Sequence, residues 1–285
     1  MLSKHVVALA VILVGFGFVG VAAAEIIVSD TFDVGASPTI GDDPDDPLDI
    51  AWTTSKPPGN PSYGLFLEIL SGLPGDSLRN VDGLLKYRAS LGQLPAAVTL
   101  ASIGDTLSLQ VDFKYRSRNA NVPDAYRLGL FDSSGAGYFF RFGNGTQRQI
   151  AITKDDGTGF TMDDTGLTDL ITATDASVPS FTNSSAYDLG IELSRTAAGL
   201  QVTATVDDYS LTYEDTASPQ FVFDTVASGS GDTNIDWHID NVLVDATVVP
   251  VPEPSALALA AVASLGLLVR SRRFLHGCRG ATGSV

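Results

Sequence analysis

Cysteine is almost missing from this chain. Its single copy, Cys278, lies in the C-terminal tail, so the body has no thiol, no disulfide and no Cys-based metal site. Histidine is nearly as scarce. His5 and His276 sit near the two ends, and His238 is the only one between them; a Ser-His-Asp triad in the body would have to use it. Basic side chains are few: 17 Lys and Arg against 33 Asp and Glu. Five of the 17 (Lys4, Arg270, Arg272, Arg273 and Arg279) fall outside Glu25–Glu253, which holds all the acids. The body therefore has 12 basic groups against 33 acidic, a formal charge of −21. Such a surface repels phosphate backbones and excludes nucleic acid as a partner. Most acids are Asp beside Gly, Ser, Thr or Asn, where a short carboxylate bonds the nearby backbone of a turn.

A sustained 3.6-residue period is also missing, as is any internal repeat. The period is two instead. Leu107, Leu109, Val111, Phe113 and Tyr115 alternate with Ser108, Gln110, Asp112 and Lys114, the pattern of a half-buried strand. Leu189, Ile191 and Leu193 repeat it, as do Leu200, Val202, Ala204 and Val206. Ile235, Trp237 and Ile239 begin another alternation, whose parity shifts at Asp240-Asn241 to Val242 and Val244; this predicts a bulge or bend. Turn signals separate the runs at Asp132–Gly135, Asp155–Gly157 and Thr196–Gly199. Gly41–Asp49 and Lys56–Pro61 read as irregular loops, and Asp163–Thr182 as a surface excursion. The fold class expected is all-β, two antiparallel sheets face to face.

Two apolar runs flank this body. Val6–Val21 follows Lys4 and His5 and precedes Ala22-Ala23-Ala24, the basic head, greasy middle and small-x-small site of a signal peptide cut after Ala24. At the other end, Pro252-Glu253-Pro254 is followed by the apolar run Ala256–Val269 and then Arg270, Arg272 and Arg273. Fourteen residues as helix reach about 21 Å, short of a hydrocarbon core of roughly 30 Å. Val248–Val251 and snorkelling arginines supply the rest, and the arginines follow the positive-inside bias. The domain reading is a signal peptide at 1–24, a β-sandwich at 25–248, and a sorting segment at 249–285 with its motif at 252–254, helix at 256–269 and basic tail at 270–285.

The C-terminal element resembles the PEP-CTERM sorting signal of envelope-bearing bacteria, apart from a tail, Phe274–Val285, longer than usual. That resemblance implies an exosortase-type protease that recognises Pro252-Glu253-Pro254 and cuts near it. The body resembles laminin-G-like, concanavalin-A-like jelly-roll domains. The matching pieces are Asp30-Thr31-Phe32-Asp33, Arg195–Val202 and Trp237-His238-Ile239-Asp240-Asn241-Val242. The resemblance implies neighbouring first and last strands, where Asp33 and Asp240 would hold a structural Ca²⁺ through hard oxygen ligands. Asp42, Asp43, Asp45 and Asp46 form a looser acidic group, and no EF-hand loop occurs. Laminarinases of this fold carry Glu-x-Asp-x-x-Glu on one strand, and this chain has no such run.

Aromatic rings could stack on sugars. Among Trp52, Tyr63, Tyr126, Tyr138 and Tyr209, the first two flank irregular loops and are the candidates for ligand binding; about half the rings of Tyr138–Phe142 should be core. The functional expectation is a non-enzymatic exported envelope protein for adhesion, matrix structure or glycan binding. Its partners would be a signal peptidase, an exosortase-type protease, the inner membrane before processing and extracellular polysaccharide. The alternative is a secreted polysaccharide-active glycosidase or lyase, marked by a cleft holding two carboxylates.

Overall fold

A computed structural model describes residues 23–32, 48–55, 64–68, 73, 77–81, 88–117, 124–143, 148–158, 162, 164–174, 176–182, 185–231 and 235–248. Ala23–Val248 forms one compact unit. Its strands in chain order are β1 (Ala23–Asp30), β2 (Trp52–Ser55), β3 (Gly64–Glu68), β4 (Ser77–Val81), β5 (Arg88–Thr99), β6 (Thr106–Ser117), β7 (Tyr126–Phe131), β8 (Ala136–Phe142), β9 (Ile150–Asp156), β10 (Leu167–Ala173), β11 (Ala186–Arg195), β12 (Leu200–Val206), β13 (Tyr209–Asp215), β14 (Val222–Ser230) and β15 (Asp236–Val248).

These strands make two antiparallel sheets. The first runs β13-β12-β11-β6-β15-β4-β3, with β1 also on β15; the second runs β10-β9-β8-β7-β14-β5-β2. The long β15 explains the branching. Its first half pairs with β4 through Trp237–Ile239, and its second half pairs with β1 from Val242 to Val248. First and last strands are thus neighbours. No helix among the described residues is long and apolar enough to cross a membrane.

Alternation puts the core between the sheets. Leu107, Leu109, Val111 and Phe113 of β6 and Leu189, Ile191 and Leu193 of β11 are buried with Leu128, Leu130, Phe140, Phe142 and Ile152 of the second sheet in one cluster. Phe113, Tyr126, Phe142 and Phe181 pack ring on ring there, Phe142 and Phe181 stacked with centroids 3.8 Å apart. The parity shift foreseen in β15 is a bulge. Register slips between Asp240 and Leu243, and Asn241 takes φ 47°, a left-handed conformation that Asn tolerates better than most residues.

Two expectations need correction. Asp163–Thr182 is not a plain surface excursion: β10 pairs with β9 there, and Val178 and Phe181 are core. In β8, all of Tyr138, Phe139, Phe140 and Phe142 are buried rather than about half. The outer face of the second sheet carries its own cluster of Ala89, Phe131, Phe139, Met162 and Ala227. Strict inside–outside parity fails where a second apolar layer covers the outer face.

Candidate functional site

The outer face of the first sheet is a ruled polar surface, because every second residue of four central strands points away from the core. Ladder pairing aligns these residues in rows. Asp188 of β11 stands opposite Asp112 of β6, which stands opposite Asp240 of β15. The next row is Thr205, Gly190, Gln110 and Leu243, and the one after is Thr203, Glu192, Ser108 and Asp245. Across such rows neighbouring side chains are about 5 Å apart.

A cleft of about 470 Å³ opens on this face, lined by Ser29, Thr31, Gln110, Asp112, Asp188, Thr205, Asp207, Asn241 and Leu243 among others. Gly190 keeps the neighbouring floor low. A Cβ there would meet Thr205 Oγ1 at 2.6 Å, so any larger residue would push that hydroxyl aside. Turn and bulge residues complete the rim. Asp207, at φ 49°, accepts the Asp188 N–H at 2.9 Å through Oδ1. At the bulge, Asn241 donates its side-chain amide to Asp112 Oδ2 at 2.6 Å. Asp207 lies in the turn between β12 and β13.

Burial pushes the Asp112 carboxyl above its usual 3.8; the Asn241 amide opposes this, while the Asp188 charge and a hydrogen bond to Asp188 add to it. Asp112 and Asp188 stand opposite each other across the β6–β11 ladder. What the cleft offers is a dense set of acceptors with amide and hydroxyl donors, the inventory that binds polyols.

The residues singled out from sequence fall elsewhere for the most part. Trp52 is corrected: it is only 5% exposed, and its Nε1–H donates to Asp30 Oδ2 at 2.7 Å. The same carboxylate takes the Phe32 N–H through Oδ1 at 3.0 Å. Trp52 is thus a buried strut between β2 and β1 and offers no ring face to a sugar. Tyr126 and Tyr138 are core residues, bonded to Ser228 Oγ and Asp215 Oδ2 at 2.8 and 2.7 Å. Tyr209 is half-buried at the start of β13. Tyr63, Asp33, Asp42, Asp43, Asp45 and Asp46 lie outside the described residues, as do Ala22, Pro252, Glu253, Pro254, Arg270, Arg272 and Arg273. Ala24 is exposed in β1.

Asp240 is buried, and its Oδ1 takes the Asn241 N–H at 2.8 Å. Among the described residues no group of three or more His, Cys, Asp and Glu side chains is arranged to hold a metal, and Asp33, the other half of the pair expected to hold Ca²⁺, lies outside them. His238 is buried beside Asp240's row, with Nδ1 2.7 Å from Ser77 Oγ. It faces the outer side of the sheet, as its place between Trp237 and Ile239 requires. Sequence reasoning missed Asp112, Asp188, Asp207 and Asn241. Each looks like a solvated strand or turn residue by itself, and only the ladder registers join them.

Comparison with known proteins adds the following. Residues 250–273 match the family model of the PEP-CTERM protein-sorting motif. No curated protein matches the chain. Among solved structures it is similar to a sialidase at 11% identity and TM-score 0.40, over 68% of this chain but only 16% of the sialidase. It is similar to a lectin from Bauhinia forficata in complex with GalNAc at 11% identity and TM-score 0.48, over 81% of this chain and 100% of the lectin. It is also similar to the conserved carbohydrate esterase from Shiga toxin-encoding bacteriophage phi24B at 13% identity and TM-score 0.46, over 79% of this chain and 100% of the esterase. The C-terminal match makes this chain a carrier of the PEP-CTERM sorting motif, and so an exported protein bound for the cell envelope by way of a membrane-anchored precursor.

Proposed function

We propose that the chain is threaded out by residues 1–24, held by residues 256–269 and processed at Pro252-Glu253-Pro254 by an exosortase-type protease. In its mature form it binds neutral polysaccharide of the surface layer without cleaving it. The observation that carries the binding role is the cleft on the first sheet, where Gln110, Asp112, Asp188, Thr205, Asp207 and Asn241 converge. Sugar hydroxyls donate to the carboxylates and accept from the Gln110 and Asn241 amides. The formal charge of −21 on the body sets the ligand class, because uronate or sulfated polymers would meet like charge at close range.

The test is a panel of neutral and acidic polysaccharides immobilised and probed with residues 25–248. Retention on neutral glycans that falls at least about tenfold in Asp188→Ala, the effect of losing one charged hydrogen-bond partner, supports the reading. Equal retention by wild type and variant would sink it. The second reading, a polysaccharide-active enzyme, is favoured by carboxylates lying within the cleft. It requires new reducing ends, or unsaturated ends for a lyase, when the same polysaccharides are incubated with the purified domain.

A further inference from the structure

The first residues of the body and its last are zipped to each other. In the β1–β15 ladder Ala23 lies opposite Val248, Ala24 opposite Thr247 and Glu25 opposite Ala246. The Ala24–Glu25 bond, where the signal peptide would be cut, therefore sits inside a strand pairing and not in a free leader. Further along, β1 is pinned by the fully buried Val28, by Ser29 N–H to Leu48 O at 3.1 Å and by the Asp30–Trp52 bond. A peptidase takes its substrate as an extended, unpaired strand, so cutting in the folded domain requires lifting β1 off β15. The partner strand is the last of the body, about 220 residues downstream, and cannot reach β1 until nearly the whole chain has crossed the membrane.

We propose that docking of β1 on β15 closes the Ala24–Glu25 bond, so that N-terminal trimming is confined to the time before β15 is exported and precedes C-terminal processing. The inference rests on the reading of residues 1–24 as a cleaved signal peptide. In the trimming step water adds across the Ala24–Glu25 peptide bond, giving a carboxylate on Ala24 and an amine on Glu25, with no other reactant. The ladder from Glu25 onward survives the cut. C-terminal processing can begin only once Pro252 is out, and Pro252 lies four residues after Val248, at most about 14 Å of chain. A molecule presented for that second cut already has β15 in place and its N-terminal bond sealed.

The test uses purified full-length precursor in detergent micelles, incubated with signal peptidase and followed by intact mass. Val28→Asp, which cannot bury its carboxylate under β1, is the open-strand comparison. Cleavage after Ala24 should be at least about tenfold slower in the folded wild type than in Val28→Asp, because it must wait for local opening. Equal rates would overturn the zipper while leaving the signal-peptide reading intact. No cleavage of either chain after Ala24 would overturn that reading and the zipper with it. Pulse-chase labelling of the unmodified chain in its host serves should Val28→Asp fail to fold. A species lacking the signal but retaining the C-terminal segment should appear first. A species trimmed at the C-terminus with its signal still attached would overturn the order.

Discussion

Three aspartates with the same chemistry are driven in opposite directions by their surroundings. Asp124 is desolvated, yet the charges and hydrogen bonds of Arg127 and Arg141 outweigh burial and hold its carboxyl below the usual 3.8. Asp215 likewise overcomes desolvation, through Lys154 at 2.7 Å and the Tyr138 hydroxyl. Asp112 is raised instead. A carboxyl whose folded pKa lies below its unfolded one adds stability above the unfolded value and loses it as pH falls through the folded one. Asp124 and Asp215 should therefore make the domain acid-labile below pH about 3.8. Asp112 has the reverse sign: its contribution is unfavourable at neutral pH and is relieved on protonation. Asp112→Asn should thus raise the urea midpoint at pH 7, with the gain vanishing in acid, while polysaccharide binding weakens. Unfolding titrations at a series of pH values check both signs.

The Asp124–Arg127 pair makes a sharper test. Arg127 is fully buried, bonded to Asp124 and to the Met162 carbonyl at 2.6 Å. Asp124→Ala strips a buried guanidinium of its nearest carboxylate and should cost about 3–5 kcal/mol in denaturant unfolding.

Among the elements, the β7–β8 hairpin and the β15 bulge show how backbone geometry supports the rest. Gly129 and Gly137 sit on that hairpin where the partner strand comes unusually close. A Cβ on Gly129 would lie 2.3 Å from Tyr138 O and 2.4 Å from Phe139 Cβ. Gly129→Ala must displace backbone and should cost about 3 kcal/mol, the upper range of overpacking, read as a drop in melting temperature. At the bulge, Asn241 combines a left-handed φ with a bond to Asp112. Asn241→Val should lose about 1–2 kcal/mol from the backbone alone. Asn241→Gly should keep most of that stability and lose only the Asp112 contact, so comparing the two by thermal unfolding separates strain from the hydrogen bond.

At the scale of the whole molecule, the ladder between β1 and β15 joins the chain's extremes, and Trp52 to Asp30 ties that joint to the second sheet. Asp30→Ala leaves the buried indole N–H and the Phe32 N–H without their acceptor. It should cost about 3 kcal/mol, as expected for bonds to a charged group, and loosen the amino terminus first. Hydrogen exchange of the Val28–Asp30 amides against those of β6 checks the location of the effect. Mass spectrometry of the mature protein should find Glu25 at its amino terminus and a carboxyl terminus close to Pro254.

Period-two patterning by itself specified β6, β11, β12 and the bend in β15, because a half-buried strand must alternate and a bulge must shift that alternation. The sorting motif was equally legible, since a hinge, an apolar run and arginines act through local chain chemistry. Packing across the sheets decided the remainder. Trp52 reads as a loop-flanking platform until Asp30, 22 residues earlier, is seen to claim its indole. Tyr138–Phe142 reads as a run with about half its rings in the core until Met162 and Phe131 are seen to cover Phe139. The polar cleft unites Asp112, Asp188 and Asn241 from strands up to 129 residues apart, and no local pattern encodes which distant residue a strand will stand against. Register is a property of the closed sheet, set by burying one face of every strand at once.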